Sequence, residues 1–186
     1  MRRASWIALP ALALGLALAA RGDDKDKGAV VEMDGLRSRA PAEWKQETPA
    51  NRMRYGQFRL PKQDGDKEDG EVVVFKGLGG SADANVKRWK GMFQPLEGKT
   101  IDDVAKVEQI KVGGRDAVYL DVSGTYVVRV RPFDPNSPTE KKAGYRMLAV
   151  QWDGPDNPYQ IRLTGPAKTV GHYKKGFDEW LKGFKK

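Results

Sequence analysis

Residues 170–184 constrain this chain more than any other stretch. Val170, Tyr173, Phe177, Trp180, Leu181 and Phe184 fall on one face of a helix, and Lys174, Lys175, Asp178, Glu179, Lys182 and Lys185 on the other. Burying that stripe is worth on the order of 10 kcal/mol gross, at roughly 1.5–3 kcal/mol per large apolar side chain. Left exposed, it would drive aggregation. The rest of the chain must therefore supply an apolar surface for it, and the short alternating segments upstream make that surface a sheet.

Those segments run in order. Val30-Val31-Glu32-Met33 reads as a strand, and Arg39 to Trp44 as a corner closed by a buried tryptophan. Met53 to Leu60 alternates through Met53, Tyr55 and Phe58 until Pro61 stops it. Gln63 to Gly70 is a charged turn, and Val72-Val73-Val74-Phe75 a strand covered on both faces. Ser81 to Phe93 is expected as a helix. Ser81 caps it, Asp83 complements its dipole, and Ala82, Val86, Trp89 and Phe93 form its apolar stripe. Val104–Val112 and Arg115–Val122 flank Gly113-Gly114, a hairpin signal. Thr125 to Arg131 continues past a bulge or bend at Gly124. Pro132 to Gly144 reads as a long loop, followed by strands at Tyr145–Trp152 and Tyr159–Thr164. The expected fold class is α+β. It is an α/β/α sandwich on a central antiparallel sheet of six to seven strands, with a helix after strand three and a long C-terminal helix.

The start of the chain has a different character. Met1-Arg2-Arg3 is basic, Trp6 to Ala20 is almost wholly apolar, and Ala17-Leu18-Ala19 offers small residues before Arg21-Gly22-Asp23-Asp24. This pattern predicts a secretory signal peptide over 1–19, too short to span a bilayer, a charged lead-in over 20–28, and one domain over 29–186. The expected location is therefore outside the cytoplasm, as an exported, periplasmic or secreted protein. The twin-arginine pattern around Arg2-Arg3 is incomplete. There is no cysteine, so neither disulfides nor a lipid-bearing cysteine are available, and the core alone must hold the fold. The chain has 33 basic and 25 acidic residues, a formal net charge of +8. The excess is spread without a long basic run, so nucleic acid is not an expected partner.

Three stretches carry a family resemblance. They are Leu36-Arg37-Ser38-Arg39-Ala40-Pro41-Ala42-Glu43-Trp44, then Val112-Gly113-Gly114-Arg115-Asp116-Ala117 into Val118-Tyr119-Leu120, and then Tyr159 to Pro166 followed by the terminal helix. Their order resembles the Mog1/PsbP-like fold family, over roughly Val31 to Phe184. The resemblance implies an antiparallel sheet recrossed by a helix, and binding of other macromolecules rather than catalysis. The family includes a small-GTPase-binding protein, extrinsic photosystem subunits and exported bacterial proteins. No residue here matches a functional motif of the named groups, so the resemblance brings no site residue with it.

Motifs for catalysis or metal binding are weak. Gly77-Leu78-Gly79-Gly80-Ser81-Ala82 has the Gly-x-Gly-x-x-Ala form, yet the segment after its helix is hairpin-linked rather than a buried parallel strand. A tight strand-to-helix turn is the better reading, with a small anion as the alternative. Asp64 to Gly70 resembles a calcium loop, but Asp69 stands where glycine is required. Asp153, Asp156 and Asn157 share a Gly/Pro turn that could hold calcium only adventitiously. His172 is the single histidine, and Ser38, Ser81, Ser123 and Ser137 lie in no nucleophile elbow. Paired carboxylates of a glycosidase remain open, because their spacing is spatial. Trp152 and Tyr159 either cap the sheet end or line a shallow groove.

The expectation is an exported, non-catalytic binding or adaptor domain for a protein partner in the cell envelope, with no cofactor. A binder of an anionic envelope polymer or lipid headgroup is the alternative, and a carboxylate-based hydrolase a further one. The expected contact surface is the 133–142 loop with its flanking arginines, namely Arg129, Arg131, Phe133, Lys141 and Lys142.

Overall fold

The computed structural model describes residues 28–63, 65–131, 134 and 136–186. Among them ten strands and two helices succeed one another. They are β1 (Val30–Met33), β2 (Leu36–Arg39), β3 (Lys45–Gln46), β4 (Arg54–Leu60), β5 (Gly70–Lys76), α1 (Ala82–Lys90), β6 (Phe93–Gln94), β7 (Ala105–Val112), β8 (Arg115–Arg129), β9 (Thr139–Asp153), β10 (Pro158–Pro166) and α2 (Ala167–Lys182). The expected leader over 1–19 and most of the lead-in lie outside the described residues.

β1 and β2 pair as a hairpin of their own. The other eight strands form one sheet in the order β3-β4-β5-β10-β9-β8-β6, with β7 also on β8. Every pairing among the described residues is antiparallel. The sheet exceeds the expected six to seven strands only through β3 and β6, each two residues long. Gly113 and Gly114 both have positive φ, at 56° and 79°, as a two-residue hairpin turn demands. The large antiparallel sheet and the C-terminal helix are as expected.

One sheet face packs on α2 and the β1–β2 hairpin. Leu163, Val72 and Leu148 lie in register there, as do Ile161, Val74 and Val150, beneath Val170, Phe177, Trp180 and Leu181. Trp44 closes this core, edge-on to Phe58 and Trp180. The start of α2 is held from outside the helix: Asp66 accepts hydrogen bonds from the Thr169 N–H at 2.9 Å and from its hydroxyl at 2.6 Å. That carboxylate satisfies a free N–H and sits at the positive end of the helix dipole.

The opposite face packs on α1. Trp89 and Phe93 cover Leu120, Val122, Met147 and Ala149. Ser81 caps α1 by accepting from the Ala84 N–H at 3.2 Å, as expected. The helix is shorter than the sequence suggests, because Gly91 ends it. Phe93 keeps its place in this core but sits in β6, opposite Tyr126. A buried polar layer joins α1 to the sheet: Asn85 donates to Gln151 at 2.8 Å, Gln160 donates to Asn85 at 3.2 Å, and Arg88 donates to Gln160 at 2.7 Å.

Two further expectations are corrected. Met53 and Tyr55 do not share a buried face with Phe58; Tyr55 is 45 % exposed, and its hydroxyl donates to the Glu32 carbonyl at 2.7 Å. The long loop is shorter than 132–144. β9 begins at Thr139, opposite Arg129, so Lys141 and Lys142 are strand residues.

Candidate binding groove

α2 and the first hairpin cover their sheet face, whereas α1 covers only part of its own. The uncovered part is a groove made of two adjoining cavities of about 340 and 510 Å³ that share Arg54, Tyr126, Val128 and Arg162. Strand alternation puts these residues on one face. Arg162 in β10 lies in register with Val73 of β5 and Ala149 of β9, and Ala149 with Leu120 of β8.

A bulge shapes one wall. The β8–β9 ladder slips between Gly124 and Tyr126: Gly124 faces Tyr145, but Tyr126 faces Lys142. The extra residue is on β9, where Gly144 has φ of 71°. In a regular strand, residues three apart point to opposite faces. Because of the bulge, Lys142 and Tyr145 both line the groove and both reach Glu68, the Tyr145 hydroxyl at 2.7 Å. The Lys142 ammonium, followed by the Tyr145 hydroxyl, holds the Glu68 carboxyl below its ordinary range. Burial, and then Glu68 itself, pushes the Tyr145 phenol up.

The floor carries Arg162 and Tyr126. The Arg162 Cζ lies over the Phe75 ring, 4.6 Å from its centroid. Among the described residues its one hydrogen bond is to the Met92 sulfur at 3.9 Å, and no carboxylate pairs with it. Burial draws its pKa down, and the charges of Arg88 and Arg54 act in the same direction. Tyr126 stands between Phe93 and Tyr145, with centroids at 5.2 and 6.0 Å, and its hydroxyl has no hydrogen-bond partner among the described residues. Arg54, by contrast, is committed to Glu71 and donates to Gln57 at 2.8 Å.

The residues expected at the contact surface separate. Arg129, at the end of β8, and Lys142 both line the groove. Arg131 pairs with Asp134 at 2.9 Å, and Lys141 is exposed on β9 opposite Val127. Phe133 lies outside the described residues. Sequence reasoning passed over Arg54, Tyr126 and Arg162. A signal was present in β10, where Gln160, Arg162 and Thr164 alternate with Ile161 and Leu163. A polar row inside a central strand marks a face that the helices do not fully cover.

The weaker motifs resolve into structure. The Gly77–Ala82 segment is a turn leading into the capped helix α1, with Gly77 and Gly80 at positive φ. In the calcium-like loop, Asp66 caps α2, Glu68 holds Lys142, and Asp69 accepts from the Lys62 N–H at 2.8 Å and pairs with Arg59 at 3.0 Å. The 153–157 turn folds around Asp34, whose carboxylate accepts from the Asp156 and Asn157 N–H groups, the Asn157 side chain and the Tyr159 hydroxyl. Trp152 and Tyr159 are fully buried with stacked rings, so they cap the sheet end. His172 is exposed, edge-on to Tyr173. Ser38 donates to the Trp180 carbonyl at 2.7 Å, and Ser137 accepts from the Arg131 N–H at 2.8 Å.

No protein-family model matches the chain, and no curated protein is similar to it in sequence. Its structure is similar to that of LpqN of Mycobacterium tuberculosis, described as involved in cell envelope biogenesis. That likeness has 11% identity over 85% of this chain and 84% of that one, with a TM-score of 0.48. It is similar to PsbP (CyanoP) of Synechocystis at 15% identity, over 86% and 92% of the two chains, with a TM-score of 0.45. It is also similar to PA94 of Pseudomonas aeruginosa, a protein of unknown function, at 13% identity over 83% and 93%, with a TM-score of 0.44. At these scores and identities the likenesses carry no argument about ligand or partner.

Proposed function

We propose that this chain is an exported, non-catalytic binding domain whose partner is a protein of the cell envelope, seated in the groove beside α1. The observation that carries this reading is the groove's charge balance. Arg54, Arg129, Lys142 and Arg162 line it, and so do Glu68, Asp69, Glu71 and Glu140: four cations against four anions. Between them stand Tyr126, Tyr145, Val73, Val128 and Met92. A mixed, aromatic-bearing surface of this kind suits a polypeptide. A polyanion, such as an envelope polymer or an anionic lipid surface, gains little from a groove with no net charge. The overall basic excess lies elsewhere on the molecule.

Export is the expectation from residues 1–19, and no helix among the described residues is long and apolar enough to cross a membrane. The non-catalytic reading rests on the tasks already held by Ser38, Ser81 and Ser137, and on the exposed position of the single histidine.

Site-specific photo-crosslinking in intact cells tests this. A photoreactive residue at Val128 or Thr139 is expected to give one discrete protein adduct, and the same residue at Lys175, on the outer face of α2, none. Equal labelling from both positions, or a smear of polymer or lipid from the groove, overturns it.

A further inference from the structure

We infer that Arg162 is a binding residue of this groove and takes one carboxylate of the partner polypeptide, an acidic side chain or a chain terminus. The inference rests on the groove being the partner surface and names the group recognised there.

Among the arginines that are not exposed, Arg162 is set apart by what it lacks: Arg54 and Arg146 each pair with a carboxylate. Arg88, though exposed, donates to the Gln160 side-chain amide oxygen. Arg162 lies on a central strand, half-buried, against the Phe75 ring and the Met92 sulfur; Glu71, already paired with Arg54, attracts it without pairing with it. A guanidinium drawn out of water without a counter-charge is costly to the fold alone. The cost is recovered when a ligand brings the counter-charge, and the groove gives that ligand access. The contact with the Phe75 ring holds the guanidinium in place before anything binds.

The number of free charges selects the ligand. Arg54 is committed to Glu71 and Lys142 to Glu68, so Arg162 faces the groove with no paired carboxylate among the described residues. A carboxylate carries one charge and two coplanar oxygens, which match two N–H groups of one guanidinium. A phosphate dianion would bring a second negative charge towards Glu68, Glu71 and Glu140, and the nearby Arg54 and Lys142 are already engaged. Tyr126, on the same floor, offers a hydroxyl donor that no other described residue engages.

The test is an NMR titration of the protein purified after its own export, following the Arg162 Nε–Hε resonance at constant ionic strength near pH 7. Sodium acetate and inorganic phosphate are the probes, in separate titrations. Saturable movement with acetate, at lower concentration than with phosphate, is the expected result. Arg162→Met is expected to abolish the acetate-dependent shifts at Tyr126 and Val128 while melting no lower than the parent protein. Arg162→Lys is expected to keep the charge but weaken acetate by about tenfold, the loss of the bidentate fork being worth about 1.4 kcal/mol. Absence of saturation, phosphate binding at lower concentration than acetate, or unchanged acetate shifts in Arg162→Met each overturns the inference. Because the titration reads Arg162 and the crosslinking reads the partner, either can fail without the other.

Discussion

Asp34 shows how much one residue can organise. It sits at the β1–β2 turn with φ of 50°, a left-handed conformation that asparagine, aspartate and glycine tolerate best. Its carboxylate is 2 % exposed and gathers donors from the 153–157 turn, from Tyr159, and from Lys76 at 3.1 Å. Burial pushes its pKa up, but hydrogen bonds from Tyr159, Asp156, Lys76 and Asn157 outweigh burial and hold it well below the ordinary carboxylate range. Asp34→Ala strands these donors and is expected to cost roughly 3 kcal/mol, read from urea midpoints at neutral pH. Asp34→Asn keeps the backbone preference and removes the charge. A folded pKa below the unfolded value, about 3.9, stabilises fully above that pH and less as pH falls towards the folded pKa. The midpoint gap between Asp34→Asn and the parent protein is therefore expected to be constant near neutrality and to shrink below about pH 4. None of this was legible in the sequence. Asp34 and the 153–157 turn are more than a hundred residues apart, and only the fold brings them together.

Among the elements, those with a strong local pattern were readable. The terminal helix, the Gly113-Gly114 hairpin and the Ser81 cap each announce themselves through neighbouring residues, and each stands where periodicity placed it. Boundaries set by tertiary contact were not readable. Phe93 keeps the helical spacing of Trp89 but is claimed by Tyr126 across a two-residue ladder. The 132–144 loop is shortened because Thr139–Lys142 finds a partner in Tyr126–Arg129. The bulge was signalled at Gly124, but its consequence for Lys142 and Tyr145 was not, since it turns on which strand holds the extra residue. Gly124 itself is pinned: a Cβ there would lie 2.5 Å from the Gln94 carbonyl oxygen, a backbone atom. Gly124→Ala is expected to cost about 2–3 kcal/mol and to detach β6, seen as faster amide exchange at Phe93 and Gln94. Gly144→Ala meets open space and only the positive-φ penalty, about 1 kcal/mol, whereas Gly124 adds crowding to its own φ of 153°, so the extra loss at Gly124, read from urea midpoints, measures the crowding.

On the scale of the whole molecule, the +8 formal charge and the balanced groove point to different behaviours. Net charge governs weak, diffuse attraction and fades with salt, whereas a buried contact inside the groove is screened far less. The dissociation constant for the crosslinked partner is expected to change by less than about tenfold between roughly 50 and 300 mM salt, as measured by titration calorimetry. A steep linear loss with the logarithm of salt would instead mark polyanion binding. The α2-side core also depends on a residue beyond the helix. Phe184 is buried against Trp152 and Trp180, with centroids at 6.3 and 5.2 Å. Phe184→Ala is expected to cost about 3–5 kcal/mol, read as a lowered melting temperature.

Next to Phe184, the Lys185 backbone exchanges two hydrogen bonds with Arg37, at 2.8 and 3.1 Å. That bridge holds the stretch after α2 to β2, so the helix is tied to the first hairpin at its far end as well as through its buried stripe. Without it β2 has no neighbour on that side and the end of α2 is free to fray. The two hydrogen bonds act as a clasp on the layer that covers this face of the sheet.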